Sequence, residues 1–283
     1  MKIMVSRKQW GIFYVSAFFL IILLVIQLSS IHLKTKVAVL DVGQGDAILI
    51  QTPEHHNVLI DAGPDSRVVE QLGGQLGFFD KTIDLFVLTH PHRDHFVGFF
   101  EVAKQYRVRR VLLAGVAATD PLYAEFLNFL KANSIDIVLA SQEIDWQIGP
   151  HLYLDVLYPL EGQSLVGQIA QNFNNTSLVT RLAEKASAGW RFLALFPGDA
   201  EREEERELLM SGQDVESVLL KAGHHGSRTS TSLPFLQAVR PQDAVISAGK
   251  DNKFGHPHAE TLEKLKAIPY WVTAKDGVKV FWF

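Results

Sequence analysis

The chain has 283 residues, 47% of them hydrophobic, with 27 Lys and Arg against 31 Asp and Glu, a formal charge of −4 and no cysteine. Such a composition excludes a disordered chain or a disulfide scaffold and suits a single α/β domain with a sizeable core. The acidic balance argues against tight, sequence-independent binding along a nucleic acid, which phosphate neutralisation drives, and the lack of thiols leaves both redox compartments open.

At the N-terminus, MKIMVSRKQ carries Lys2, Arg7 and Lys8, and Trp10 to Leu28 is then free of charged side chains. About 20 apolar residues cross a bilayer, and Gln27 to Ile31 lacks the small residues of a signal-peptide cleavage site. Residues 1–33 are therefore expected to form one uncleaved transmembrane helix, with residues 34–283 a separate globular domain. Lys34 and Lys36 nearly balance the preceding cations, so charge asymmetry is weak; the expectation is a single-pass protein of the cell membrane with its domain outside the cytoplasm.

Strand-like runs follow at 36–40, 47–51, 58–60, 85–89, 110–113, 135–139, 152–158, 178–182, 191–196, 217–221 and 244–247. A last pair, 270–273 and 278–282, flanks Lys275-Asp276-Gly277 and predicts a hairpin. Helical periodicity occupies 95–106, 121–133, 200–210, 233–239 and 258–266. Two sheets covered by helices follow from that mixture. The run AEREEERELL reads as a solvated helix face. Lys104, Arg107, Arg109 and Arg110 read as a solvated helix end, with a local phosphate-binding patch as the alternative.

Polar residues of ligand type cluster where apolar strands give way to turns. THPHRDH, Thr89 to His95, sets three imidazoles and a carboxylate within seven residues, a set that suits zinc or a neighbouring first-row metal. His90 and His92 alternate in an extended tripeptide, point to one side and are assigned to a first metal site. Asp94 and His95, at the start of a helix, are assigned to a second. Asp199, in FLALFPGD, is the natural bridge, and one of His224 and His225, in VLLKAGHHGS, completes the second site. Asp61, in VLIDAG, is expected to orient a histidine or the metal loop, and His256, in GHPH, to donate to a phosphate oxygen or leaving group. His258 reads as a helix start. Two ions so placed activate water and stabilise both oxygens of an in-line displacement, so the reaction class is hydrolysis. The GQGD turn lacks the rest of a phosphate-loop pattern and reads as a tight turn between paired strands.

The order HxHxDH, GD, HHGS resembles the metallo-β-lactamase superfamily. LDVGQGDAILI, NNTSLV and NKFGHP further resemble the metallo-β-lactamase domain of the ComEC competence (DNA internalisation) family, over roughly Lys36 to Phe283. The resemblance implies an αββα sandwich for residues 34–283, with the N-terminal transmembrane helix added here. It implies His225 as the ligand, with His224 beside the substrate, and a two-metal phosphodiesterase acting as a nuclease on DNA. It also implies a contact from Asn174, Asn175 and Ser177 to metal-bound water or a substrate phosphate. Many hydrolases of the superfamily place a further histidine between HxHxDH and GD; the one in that interval is His151, read as structural, which leaves zinc and manganese both open as the working ion. The catalytic set is accordingly Asp94, His224, His256, Asn174 and Asn175. With no channel helices in this chain, a separate membrane channel is the expected partner. Alternatives are hydrolysis of another phosphoester, such as cell-envelope phosphorylcholine, and a non-catalytic accessory module of a membrane complex.

Overall fold

The computed structural model describes Trp10 and residues 13–23, 34–140 and 145–283. Most of the anchor expected over 1–33 lies outside these residues. Residues 13–23 are helical, and no helix among the described residues is long and apolar enough to cross a membrane.

Period-2 alternation builds the centre. In Lys36–Val39, Ile48–Gln51, Asn57–Ile60 and Leu85–Leu88, the residues Val37, Val39, Ile48, Ile50, Val58, Ile60, Leu85 and Val87 join one apolar core. Their alternates Ala38, Leu49, Leu59, Phe86 and Leu88 join another. Strands covered on both faces read as continuous hydrophobic runs because successive side chains serve opposite cores. The first core lies against the second sheet and takes in Leu154, Val156, Leu178 and Leu195. The second lies under helices Arg67–Gln75, Phe99–Gln105 and Pro121–Ala132. Helices 202–210, 233–239 and 259–265 add Leu208, Phe235, Leu236, Val239 and Leu265 to the first core, from the second sheet. The layers are helices, sheet, sheet, helices.

Each of the two main sheets has seven strands, and 82–83 pairs with 107–108 in a separate two-stranded ribbon. The first runs in the order 279–282, 36–39, 48–51, 57–60, 85–88, 110–113, 136–139. It is antiparallel up to 57–60 and parallel beyond. The second runs 270–272, 243–246, 219–221, 189–196, 179–186, 152–158, 146–147. Its first three pairings are parallel and the rest antiparallel.

Three expectations are corrected. Segments 270–272 and 279–282 form no hairpin. The first pairs with 243–246 and the second with 36–39, in different sheets, while Thr273–Asp276 makes a helical turn between them. The helix expected over 95–106 is broken into Arg93–Phe96 and Phe99–Gln105. At the break, Gly98 presses on the loop after 57–60, where a Cβ would stand 2.0 Å from the Ala62 carbonyl oxygen. The acidic run on Arg202–Met210 is not wholly solvated. Glu204 and Glu205 are buried, and Glu205 accepts from the amides of Thr231 and of Ser232, the latter at 2.9 Å, at the start of the next helix. Of the cations expected at a solvated helix end, Lys104 lies in the last turn of helix 99–105 and pairs with Glu101, whereas Arg107 and Arg110 open strands 107–108 and 110–113; Arg109 pairs with Asp84 and Arg110 with Asp136.

Candidate metal centre

Asp61, Thr89, Asp199 and His224 all lie just beyond the carboxyl ends of strands, where open α/β sheets place their chemistry. The backbone N and Oγ1 of Thr89 donate to Asp61 at 2.9 and 2.8 Å. Asp61 has φ +57, a left-handed conformation that aspartate tolerates better than most residues. The turn aims its carboxylate at His95, whose Nδ1 is 2.7 Å away.

These bonds set the tautomer that each ring takes when it is neutral, the form in which it can bind a metal. His95 Nδ1 donates to Asp61, so its Nε2 is left as a lone pair facing inward. Thr89 Oγ1 spends its proton on Asp61 and accepts from His90 Nδ1 at 3.0 Å, which leaves His90 Nε2 as a lone pair too. His225 Nδ1 lies 3.0 Å from the Ser247 carbonyl, which can only accept, so His225 also presents Nε2. In each case a backbone or side-chain acceptor on one side of the ring prepares a donor atom on the other.

The prepared atoms converge. Asp199 Oδ2 is 3.4 Å from Nε2 of both His95 and His225 and 3.8 Å from Nε2 of His90. Asp94 Oδ2 is 3.4 Å from His225 Nε2, and His92 Nδ1 is 2.9 Å from His90 Nε2. Ligand-type atoms of His90, His92 and Asp199 lie within 4.8 Å of one another, as do those of Asp94, His95 and His225. Asp46 forms two further groups, with Asp61 and His95 and with Asp199 and His225.

The donor set fits divalent cations. His95 Nε2, His225 Nε2 and Asp199 Oδ1 are buried without a hydrogen-bond partner, a costly state unless something else satisfies them. Charge points the same way. Burial opposes charge on His95 and His225, yet Asp199 with Asp61, and Asp199 with Asp46, hold their pKa values well above the ordinary imidazole range. Burial also opposes ionisation of Asp199, and His225 and His95 hold it well below the ordinary carboxylate range. The carboxylates are thus pulling protons onto two rings, the position that a metal cation takes over with its own charge. His90, where burial outweighs every carboxylate, is held well below its ordinary value and is neutral, as a ligand must be.

Other expected residues lie around this cluster or face away from it. His224 is part-exposed, with Nε2 3.8 Å from Asp199 and Nδ1 3.2 Å from Glu201. Asn174 Nδ2 stands 3.5 Å from the His224 ring, and its buried Oδ1 has no partner. Asn175 turns the other way, accepting from the Glu201 amide at 3.2 Å. Ser177 Oγ accepts from the Asp199 amide at 3.1 Å and lies 3.4 Å from His90 Nδ1. The His256 ring is centred 5.4 Å from that of His224. Burial and then His225, His224 and His258 push its pKa down to about 4. His258 is the N-cap of helix 259–265, and His151 is exposed at the start of its strand.

Sequence reasoning missed Asp46 and Lys221. Asp46 Oδ1 is 3.3 Å from His225 Nδ1, and its Oδ2 bonds the ammonium of Lys221. Lys221 is fully buried, donates to the Gly198 carbonyl at 2.9 Å and lies 3.8 Å from Asp199 Oδ1. Burial alone would lower its pKa; Asp46 and Asp199 raise it. The GQGD turn does join paired strands, with Leu40 N donating to the Ala47 carbonyl at 2.9 Å, and it also packs on the centre. Gly45 has φ +134, and a Cβ there would stand 2.2 Å from the Asp94 carbonyl oxygen.

Residues 40–139 match the metallo-β-lactamase superfamily, so the chain carries a domain of that kind. Its relatives in sequence include competence proteins, in line with the ComEC-type resemblance of its motifs. It is 30% identical over 249 residues to ComE operon protein 3 of Bacillus subtilis strain 168, covering 82% of this chain and 30% of that protein. It is 29% identical over 236 residues to competence protein ComA of Neisseria gonorrhoeae, covering 83% and 30%. The chain therefore spans about 30% of the length of these relatives. The fold is similar to that of YhfI, a metallo-β-lactamase fold protein of Bacillus subtilis, with a TM-score of 0.56 at 11% identity over 88% of this chain and 100% of that one.

Proposed function

We propose that this metallo-β-lactamase-superfamily chain is a membrane-anchored, two-metal phosphodiesterase that cuts DNA in a competence-related setting, with its domain outside the cytoplasm and a separate channel as partner. The observation that carries the reading is the convergence of two triads, His90–His92–Asp199 and Asp94–His95–His225, each with its ligand-type atoms within 4.8 Å. His90 and His92 would hold one ion, Asp94, His95 and His225 the other, and Asp199 both. Two divalent ions, zinc or manganese, would supply Lewis acidity and an activated water.

The chain's own residues do the rest. Asp61 holds the His95 ring and, through Thr89, that of His90; Ser247 and Asp46 hold His225. His224, His256 and Asn174 flank the ligands and offer N–H donors to phosphate oxygens or a leaving group. Asn175, which the ComEC-type motif adds to the catalytic set, supports that group from behind through Glu201. DNA as the phosphodiester is favoured by the competence relatives.

The test is cleavage of end-labelled single-stranded DNA by the chain loaded separately with zinc and manganese, beside His90→Ala. Metal-dependent cutting that the variant loses is expected. Bound metal without cutting would sink the nuclease and turn attention to envelope phosphodiesters or a non-catalytic role.

A further inference from the structure

Phe78 and Phe79 are 83% and 93% exposed, and their rings meet edge to face at 5.1 Å. Two adjacent bare phenylalanines are uncommon on a surface in water unless something covers them. They border a groove that Lys34, Lys36, Gln75 and Trp282 also line. Trp282 is half-exposed and Lys34 is exposed; Lys36 is buried between them, its ammonium donating to the Gln75 carbonyl at 2.6 Å and lying 5.9 Å from the centre of the Trp282 ring. Exposed aromatic rings beside a free lysine are the composition of a membrane–water interface, where the rings enter the acyl boundary and the cation stays at headgroup level.

Chain continuity brings this face to a bilayer. Lys34 follows Leu28, the last residue of the apolar N-terminal run, by six residues, a tether of at most about 20 Å when fully extended. Strand direction then sets the orientation. Lys36, Gln51, Asn57 and Leu85 stand at the groove end of their strands. Asp61 and His90 follow the opposite ends of 57–60 and 85–88, and the GQGD turn joins the opposite ends of 36–39 and 48–51.

We propose that Phe78, Phe79 and Trp282, with Lys34, form a face that rests in the interfacial layer of a phospholipid bilayer and turns the metal centre away from it, toward the aqueous phase. This rests on the anchoring part of the proposed function. A substrate would then reach the centre from solution rather than along the lipid surface.

The chain contains no cysteine, so single cysteines carrying an environment-sensitive fluorophore can be placed without background. The full chain, labelled at Leu20→Cys, Phe79→Cys or Phe254→Cys, is incorporated into phosphatidylcholine–phosphatidylglycerol vesicles containing doxyl-lipid quenchers. Phe254 is exposed and its ring is centred 5.7 Å from that of His256, so it reports the metal end. Loss of fluorescence at positions 20 and 79, but not at 254, is the expected result. Quenching at 20 without quenching at 79 overturns the lipid-facing surface while the anchor stands. Quenching at 79 without quenching at 20 supports the face and overturns the anchor. Quenching at both 79 and 254 overturns the orientation, and quenching at none of the three overturns anchor and face together.

Discussion

Replacing Lys221 by methionine keeps the length and much of the volume of the side chain and removes its charge. The lost ammonium bonds Asp46 and the Gly198 carbonyl, the latter at 2.9 Å, and lies 3.8 Å from Asp199. At an effective dielectric constant of about 20, an ion pair at about 4 Å amounts to roughly 4 kcal/mol before desolvation is counted. Breaking a buried pair by removing one partner costs about 3–5 kcal/mol, because the surviving charge is stranded. For a domain whose whole stability is about 5–15 kcal/mol, K221M should therefore lower the free energy of unfolding by about 3–5 kcal/mol. The assay is urea unfolding of the chelator-treated protein at neutral pH, followed by circular dichroism, with K221M, D46N and the double variant completing a cycle. The double variant should recover part of the loss, since replacing both charged partners with neutral groups is far milder than stranding one. A cost for K221M below about 1 kcal/mol, the level of an exposed pair, or strictly additive variants, would refute the coupling.

Asp61→Asn removes the charge that three donors share and should weaken metal binding by about 10–100-fold, read by titration calorimetry on the chelator-treated protein; unchanged affinity would remove Asp61 from any role in orienting His95. Gly45→Ala meets the Asp94 carbonyl oxygen at 2.2 Å; it should cost about 1–3 kcal/mol in thermal unfolding and deplete the second ion in elemental analysis. Glu204 is buried with both carboxylate oxygens unpartnered, and burial, then Glu207, Glu205 and Glu201, raise its pKa well above the ordinary carboxylate value. The folded chain thus retains a proton that the unfolded chain releases, so stability is fully present below the unfolded pKa and is lost as pH rises toward the folded one. Glu204→Gln should remove that loss, worth up to about 1.4 kcal/mol per pH unit, and raise the melting temperature at pH 8 but not at pH 4; equal shifts at both would contradict it.

The loop that carries His90, His92, Asp94 and His95 was legible because its signals are local: an apolar strand, a stop, and imidazoles at alternating spacing all fall between Ile83 and His95. The fold class was legible because strands buried on both faces read as unbroken apolar runs. What failed was decided by distant contacts. Segments 270–272 and 279–282 both look like strands around a turn, and nothing local says that they join different sheets. Helical periodicity passes smoothly through Gly98, whose significance is its approach to Ala62 and Asp65. The acidic face of helix 202–210 reads as solvated until Glu205 is seen capping the helix from Leu233. Lys221 did leave a trace, a lone cation ending an apolar strand, but its meaning depends on Asp46, far away in sequence.

That pairing bears on how the centre is organised. Asp46, Asp61, Asp94 and Asp199 gather around two inward-facing imidazoles, with Lys221 as a fixed cation among them. One lysine cannot balance four carboxylates, so they draw protons onto His95 and His225 as well, and the proposed ions would take the place of those protons. Lys221 sits on the side of Asp46 and Asp199 bounded by the Gly198 carbonyl, leaving Asp199 Oδ2 to His90, His95 and His225. Two adjacent cations would repel each other; a lysine in that position divides the Asp199 carboxylate, one oxygen toward the ammonium and the other toward the ligand rings. If Asp199 serves both proposed ions, Lys221 would tune how evenly its carboxylate is shared, so its removal should alter the affinities of the two proposed sites relative to each other as well as the stability of the fold.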